Sequence, residues 1–141
     1  MSELLLLLDA GHGIGTAGKR TPDGSLREFN FNSPTAEYIA KFISEYEGTK
    51  VTFVYDRTGK VDTPLKTRTT TANNAYKGGN AVYVSIHANA FGNGWNDANG
   101  VETFVYSLKN AKSKSVATQV QKALVKATGL RDRGVKAGNF A

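Results

Sequence analysis

The chain has 141 residues, 40% of them hydrophobic, which is enough for one globular domain with a sizeable core and too apolar for a disordered segment. It has no cysteine, so disulfides and thiolate metal sites are excluded, and any metal must be held by His, Asp or Glu. The net charge is +6, and the excess lies mostly after Thr103, where Lys109, Lys112, Lys114, Lys122, Lys126, Arg131, Arg133 and Lys136 stand against Asp132 alone. A basic face of this kind favours a polyanionic partner, and without aromatics among the lysines an anionic cell envelope is expected rather than nucleic acid.

In chain order, Leu4–Leu8 reads as a fully buried strand that ends in the turn Asp9-Ala-Gly-His-Gly. Five leucines are too short to span a bilayer. Glu3 stands where a signal peptide would carry positive charge, and no small-residue cleavage site follows, so no export signal and no membrane insertion are expected. Residues 13–32 read as loop, with Thr21-Pro22-Asp23-Gly24 as a turn. Ser33 reads as an N-cap and Pro34 as the first position of a helix running to Tyr46, with Ile39, Phe42, Ile43 and Tyr46 at helical spacing.

Lys50–Tyr55 is a second strand, Leu65–Tyr76 a helix closed by Gly78-Gly79, and Ala81–Ile86 a third, buried strand. Residues 91–99 form a polar loop, Val101–Tyr106 alternates as a strand, and Ser113–Thr128 is a helix with Val116, Val120, Leu124 and Ala127 on one face. The residues after Gly129 give no clear pattern. Alternating strands and helices predict a three-layer α/β fold, with a mostly parallel sheet flanked by helices.

Sheets of this type present ligands at the carboxyl ends of their strands. The only two histidines, His12 and His87, fall at two such ends. Imidazole nitrogens suit zinc, and two histidines with one carboxylate are an established catalytic set. Spacing leaves the carboxylate open between Glu28, Asp9 and Glu102. A competing motif, Gly13-Ile-Gly-Thr-Ala-Gly18, has the form of a dinucleotide loop, but Lys19–Gly24 after it is turn chemistry, with no helix N-terminus to seat a pyrophosphate.

Five segments, Leu8-Asp-Ala-Gly-His-Gly13, Glu28, Ser85-Ile-His-Ala-Asn89, Gly100-Val-Glu-Thr-Phe104 and Asp132-Arg-Gly-Val-Lys136, resemble the Amidase_3 family of N-acetylmuramoyl-L-alanine amidases in order and spacing. The resemblance implies an α/β fold with a mixed, roughly six-stranded sheet and one zinc ion held by His12, Glu28 and His87. Asn89 is expected to line the site. The implied reaction is hydrolysis of the amide between N-acetylmuramic acid and L-alanine in peptidoglycan.

The family also carries a proton-transferring glutamate in a later Leu-Val-Glu-like motif that this sequence does not contain. Residues 1–141 are therefore expected to form the catalytic domain without its C-terminal segment. Glu102 is the local candidate for that proton work, with a structural strand role as its alternative. The setting expected is an endolysin-like, phage- or prophage-encoded lysin acting on the bacterial wall, with anionic wall polymers as further partners. The rival expectation is a non-catalytic wall- or polyanion-binding module of the same fold.

Overall fold

Leu4–Ala10 forms β1, and its near-continuous apolar run is explained by its place between two other strands. The computed structural model describes residues 3–140 of the chain. Its remaining elements are α1 (Glu28–Ile43), β2 (Thr49–Phe53), α2 (Leu65–Ala75), β3 (Asn80–Ile86), β4 (Val101–Val105), α3 (Ala111–Thr128) and β5 (Asp132–Ala137). The five strands among the described residues are close to the roughly six expected, and their ladders are all parallel. They form a three-stranded sheet in the order β2-β1-β3 and a two-stranded sheet of β4 and β5. The described chain divides correspondingly into two compact units, Met1–Gly94 and Trp95–Ala141.

In the first unit, β1 side chains alternate between the two sheet faces. Ala10 packs with Phe29 and Ala36 of α1 and with Tyr55, while Leu5 and Leu7 pack with Ala72 and Ala75 of α2 and with Val54. Helices therefore cover opposite faces of this sheet, which gives the three layers expected. Ala10 of β1 is in register with Ile86 of β3, and the Gly11 amide still donates to the Ile86 carbonyl at 3.0 Å. The next residues of both strands thus leave the sheet side by side.

The first helix departs from expectation. It begins at Glu28 rather than Pro34, and Pro34 lies inside it. Proline forfeits one backbone bond there, while the Thr35 hydroxyl donates to the Phe31 carbonyl at 2.8 Å. Ser33 is buried against the Tyr55 hydroxyl at 3.2 Å, so it is a core residue and not a cap. The buried stripe accordingly runs through Phe29, Asn32, Ser33 and Ala36, while Phe42 and Tyr46 are exposed. The Gly13–Gly18 segment opens no helix, as its turn chemistry predicts.

In the second unit, Asn110 caps α3 by accepting from the Ser113 amide at 3.0 Å, and Gly129 ends the helix. The expected apolar face of Val116, Val120 and Leu124 is exposed, and Ala117 and Gln121 are buried instead. Gln121 tolerates burial because its amide is satisfied. It donates to the Val101 carbonyl (2.9 Å) and Asp132 (2.6 Å) and accepts from Thr103 (2.9 Å). The unpatterned tail is β5. Its pairing slips between Val101↔Asp132 and Thr103↔Val135, so Glu102 faces both Arg133 and Gly134 in a β-bulge. Gly134 takes the left-handed conformation (φ 83°), and its amide donates to Asp132 at 2.8 Å.

Candidate metal centre

The turn after β1 carries His12 in a left-handed conformation (φ 66°), the one non-glycine residue with positive φ among the described residues. Such a conformation is costly for a residue with a Cβ and persists where its surroundings over-determine it. Here the brace is Arg68 of α2, which is only 4% exposed. Its Nη1 donates to the Asp9 carboxylate and to the Ala10 carbonyl (2.7 Å), and its Nη2 to the His12 carbonyl (3.3 Å) and Asp62 (3.3 Å). Its Nε donates to the Thr63 carbonyl at 2.6 Å. Asp9 also accepts from Tyr83 (2.9 Å) and Ser85 (2.8 Å), residues that β3 brings to the same sheet face. Burial and the charge of Asp9 raise the Tyr83 hydroxyl pKa, so it stays a donor to that carboxylate.

Gly11 opens the space for His87. A Cβ at Gly11 would lie 2.2 Å from His87 Cε1, so only glycine lets that imidazole seat against the turn. The His12 and His87 rings meet edge to face with centroids 5.1 Å apart. Glu28, the first residue of α1, lies between them: one oxygen is 3.4 Å from His12 Nε2 and the other 3.1 Å from His87 Nδ1. The Ala88 amide (3.0 Å) and the Asn32 side-chain amide (3.3 Å) also donate to Glu28.

Burial alone would raise the Glu28 pKa, but the contacts from His87, Ala88, Asn32 and His12 outweigh it and hold the carboxyl down to about 2. The His12 pKa falls below its ordinary 6.5, chiefly through burial, which the negative charge of Glu28 opposes. At neutral pH the cluster therefore offers a carboxylate and, at His12, a neutral imidazole.

One donor atom from each of His12, Glu28 and His87 lies within 4.8 Å of the others. Ligands about 2.1 Å from a tetrahedral ion sit roughly 3.4 Å from each other, close to the His12–Glu28 separation of 3.4 Å. The donor set and its spacing fit a single zinc ion. Asp9, the first competitor for the third position, is committed to Arg68. Glu102, the other, lies in the second unit, paired with Lys136 at 2.5 Å and Arg133 at 3.4 Å. Asn89 is exposed two residues beyond His87.

Two contributors escaped the sequence reading. Asn32 stands one turn after Glu28 and is fully buried. An i, i+4 Glu–Asn pair is its only trace in the sequence, and residues 13–32 had read as loop. Arg68 lies in a threonine-rich helix that offers no sign of a buried guanidinium.

Fold and site together define an α/β protein with a candidate single-metal centre at the carboxyl ends of its strands. The profile of the N-acetylmuramoyl-L-alanine amidase family, Amidase_3, matches residues 6–141. The chain belongs to this family. It is similar in structure to an N-acetylmuramoyl-L-alanine amidase from Clostridium difficile 630, with 32% identity, a TM-score of 0.85, and coverage of 99% of this chain and 72% of that one. It also resembles the catalytic domain of CwlV, an N-acetylmuramoyl-L-alanine amidase from Bacillus (Paenibacillus) polymyxa var. colistinus, at 31% identity and TM-score 0.82, again covering 99% and 72%. A Bacillus anthracis protein described as an uncharacterized cell wall amidase is 46% identical over 66 residues, 42% of this chain. That match spans 12% of the relative's length.

Proposed function

We propose that residues 1–141 belong to the catalytic domain of a zinc-dependent N-acetylmuramoyl-L-alanine amidase that cleaves the amide between N-acetylmuramic acid and L-alanine in peptidoglycan. The observation that carries this reading is the convergence of His12, Glu28 and His87 within 4.8 Å, in a chain whose family match runs almost its whole length. Zinc, when bound, polarises the scissile carbonyl and acidifies a water molecule. Three protein ligands leave a fourth position for water or substrate, the pattern of catalytic rather than structural zinc sites.

The chain's own residues support this chemistry by holding the donors ready. Glu28 remains ionised well into acid, and burial favours the neutral, ligating form of His12. Asn32 and the Ala88 amide orient the carboxylate, and Arg68 fixes the turn that presents His12. Outer partners of this kind set the orientation and basicity of metal ligands. Asn89, placed just after His87, is assigned to the lining of the substrate cleft. Glu102 is assigned to positioning rather than to proton transfer, because its carboxylate is already engaged by two cations.

The setting proposed is an endolysin-like lytic enzyme acting at the bacterial wall, where the exposed lysines of the second unit favour approach to anionic polymers. The deciding experiment measures release of stem peptide from purified peptidoglycan, with zinc removed and then restored. Zinc-dependent appearance of free N-terminal alanine is the expected result. Stoichiometric zinc without any cleavage would instead support a binding module that retains the fold.

A further inference from the structure

We infer that the second unit carries an anion-binding cleft, built by the bulge in β5, that takes a carboxylate of an acidic peptide. The cleft has a volume of about 400 Å³ and is lined by Ala98, Asn99, Arg131, Asp132, Arg133 and Lys136. In a regular strand, residues three apart point to opposite faces. The extra residue at Arg133–Gly134 changes that parity, so Arg133 and Lys136 both reach the one carboxylate of Glu102.

Three features mark the cleft as built rather than incidental. The Glu102 side chain is only 11% exposed and lies behind the two cations, whose side chains are 37% and 40% exposed. A buried carboxylate thus fixes two positive groups that still reach solvent. A Cβ at Gly100 would lie 2.9 Å from Arg133 Cγ and 2.5 Å from the Arg131 carbonyl, so the missing side chain is what seats the Arg133 stem. Asp132 is fixed in the cleft wall, its Oδ1 accepting from the Gln121 side-chain amide (2.6 Å) and the Gly134 amide (2.8 Å).

Arg131, Arg133 and Lys136 outnumber Glu102 and Asp132, so the cleft keeps a positive excess. Among the described residues, no hydrogen bond or ion pair engages the Arg131 guanidinium. A planar guanidinium matches an oxyanion, carboxylate or phosphate, in two parallel hydrogen bonds, so the choice between them is left to the phosphate arm of the test. Placing that carboxylate on the peptide stem of peptidoglycan rests on the proposed function. The anion site itself does not.

The test is a binding titration of the full metal-free chain, followed by amide chemical shifts, with the C-terminally amidated dipeptide Ala-Glu and its likewise amidated, carboxylate-free counterpart Ala-Gln. Ala-Glu is expected to shift the amides of Asn99, Gly100, Arg131 and Arg133 saturably and to bind several-fold more tightly than Ala-Gln. Arg131→Gln, which breaks no described side-chain contact, is expected to weaken Ala-Glu on the order of fivefold. The double change Glu102→Gln/Lys136→Gln, which leaves no buried charge unpaired, should weaken it similarly.

Equal binding of the two dipeptides, or no loss in Arg131→Gln, overturns the proposal. Tighter binding of inorganic phosphate than of Ala-Glu at the same amides overturns its carboxylate identity. Because no hydrolysis is involved, failure here leaves the amidase reading intact. Conversely, an inactive zinc-loaded chain that still binds Ala-Glu sinks only that reading.

Discussion

The side-chain amide of Asn32 donates to the Glu28 carboxylate at 3.3 Å and to the Gly11 carbonyl at 3.1 Å. One buried group thereby ties the start of α1 to the turn after β1. Its Oδ1 is buried without a partner among the described residues, a cost that stability alone does not explain. What the residue accomplishes lies in the two atoms its NH2 group holds.

Asn32→Ala should accordingly lower zinc affinity by roughly 10- to 100-fold, the usual effect of losing an outer partner of a metal ligand. Folding stability should fall by about 1–3 kcal/mol. Competition with a zinc chelator reads the first and urea unfolding the second. Unchanged zinc affinity would remove Asn32 from the site.

His12→Ala and His87→Ala should each bring zinc below one ion per chain and abolish stem-peptide release. Both proteins should keep native circular dichroism, because neither ring lies in the two apolar clusters of the first unit. Elemental analysis alongside the cleavage assay checks this. Either variant still cleaving peptidoglycan would dissolve the ligand assignment.

Gly11→Ala should act through His87. The new methyl would sit 2.2 Å from Cε1 of that ring, so the imidazole must swing away from the cluster. Zinc binding should drop at least tenfold, the scale seen when a ligand loses its orientation. A chain that binds zinc normally with alanine at this position would contradict the described seat.

Arg68→Met should be the most damaging single change, costing about 3–5 kcal/mol, because it strands the Asp9 carboxylate in the core. Adding Asp9→Asn should recover part of that loss, since a neutral amide needs no counter-charge. Guanidinium unfolding of the two single variants and the double variant gives the coupling energy directly.

Acidification should destabilise the metal-free chain in two stages. The His12 pKa is depressed in the folded state, so its contribution is complete above 6.5 and declines as pH drops below that value. The Glu28 pKa is depressed from 4.5 to about 2, so its contribution holds above 4.5 and is lost as pH falls towards 2. Thermal melts from pH 8 to pH 3 should show both, and His12→Asn should erase the upper stage alone.

Much of the candidate site was legible in the sequence because strand periodicity placed both histidines at strand ends, and the Amidase_3 motifs added Glu28. The start of α1 was not legible. Ser33 and Pro34 mimic a helix beginning, whereas the true start depends on tertiary contacts such as the Lys19 carbonyl, which accepts from the Glu28 amide at 2.9 Å. The α3 face was misjudged for a related reason, since Gln121 outcompetes valine and leucine for burial by satisfying three polar partners at once. Glu102 stayed ambiguous until its cations were seen, because bulge parity cannot be counted before the register is known.

The pairing of Ala10 with Ile86 makes the sheet itself the ruler of the candidate metal centre. Adjacent strands stand about 4.8 Å apart wherever they are hydrogen-bonded, so the gap between the two imidazoles is inherited from backbone geometry rather than negotiated by the loops. The outer part of the connection, residues 21–26, is thereby free to lengthen, shorten or be replaced, for instance to graft a different specificity, without the two histidines moving apart.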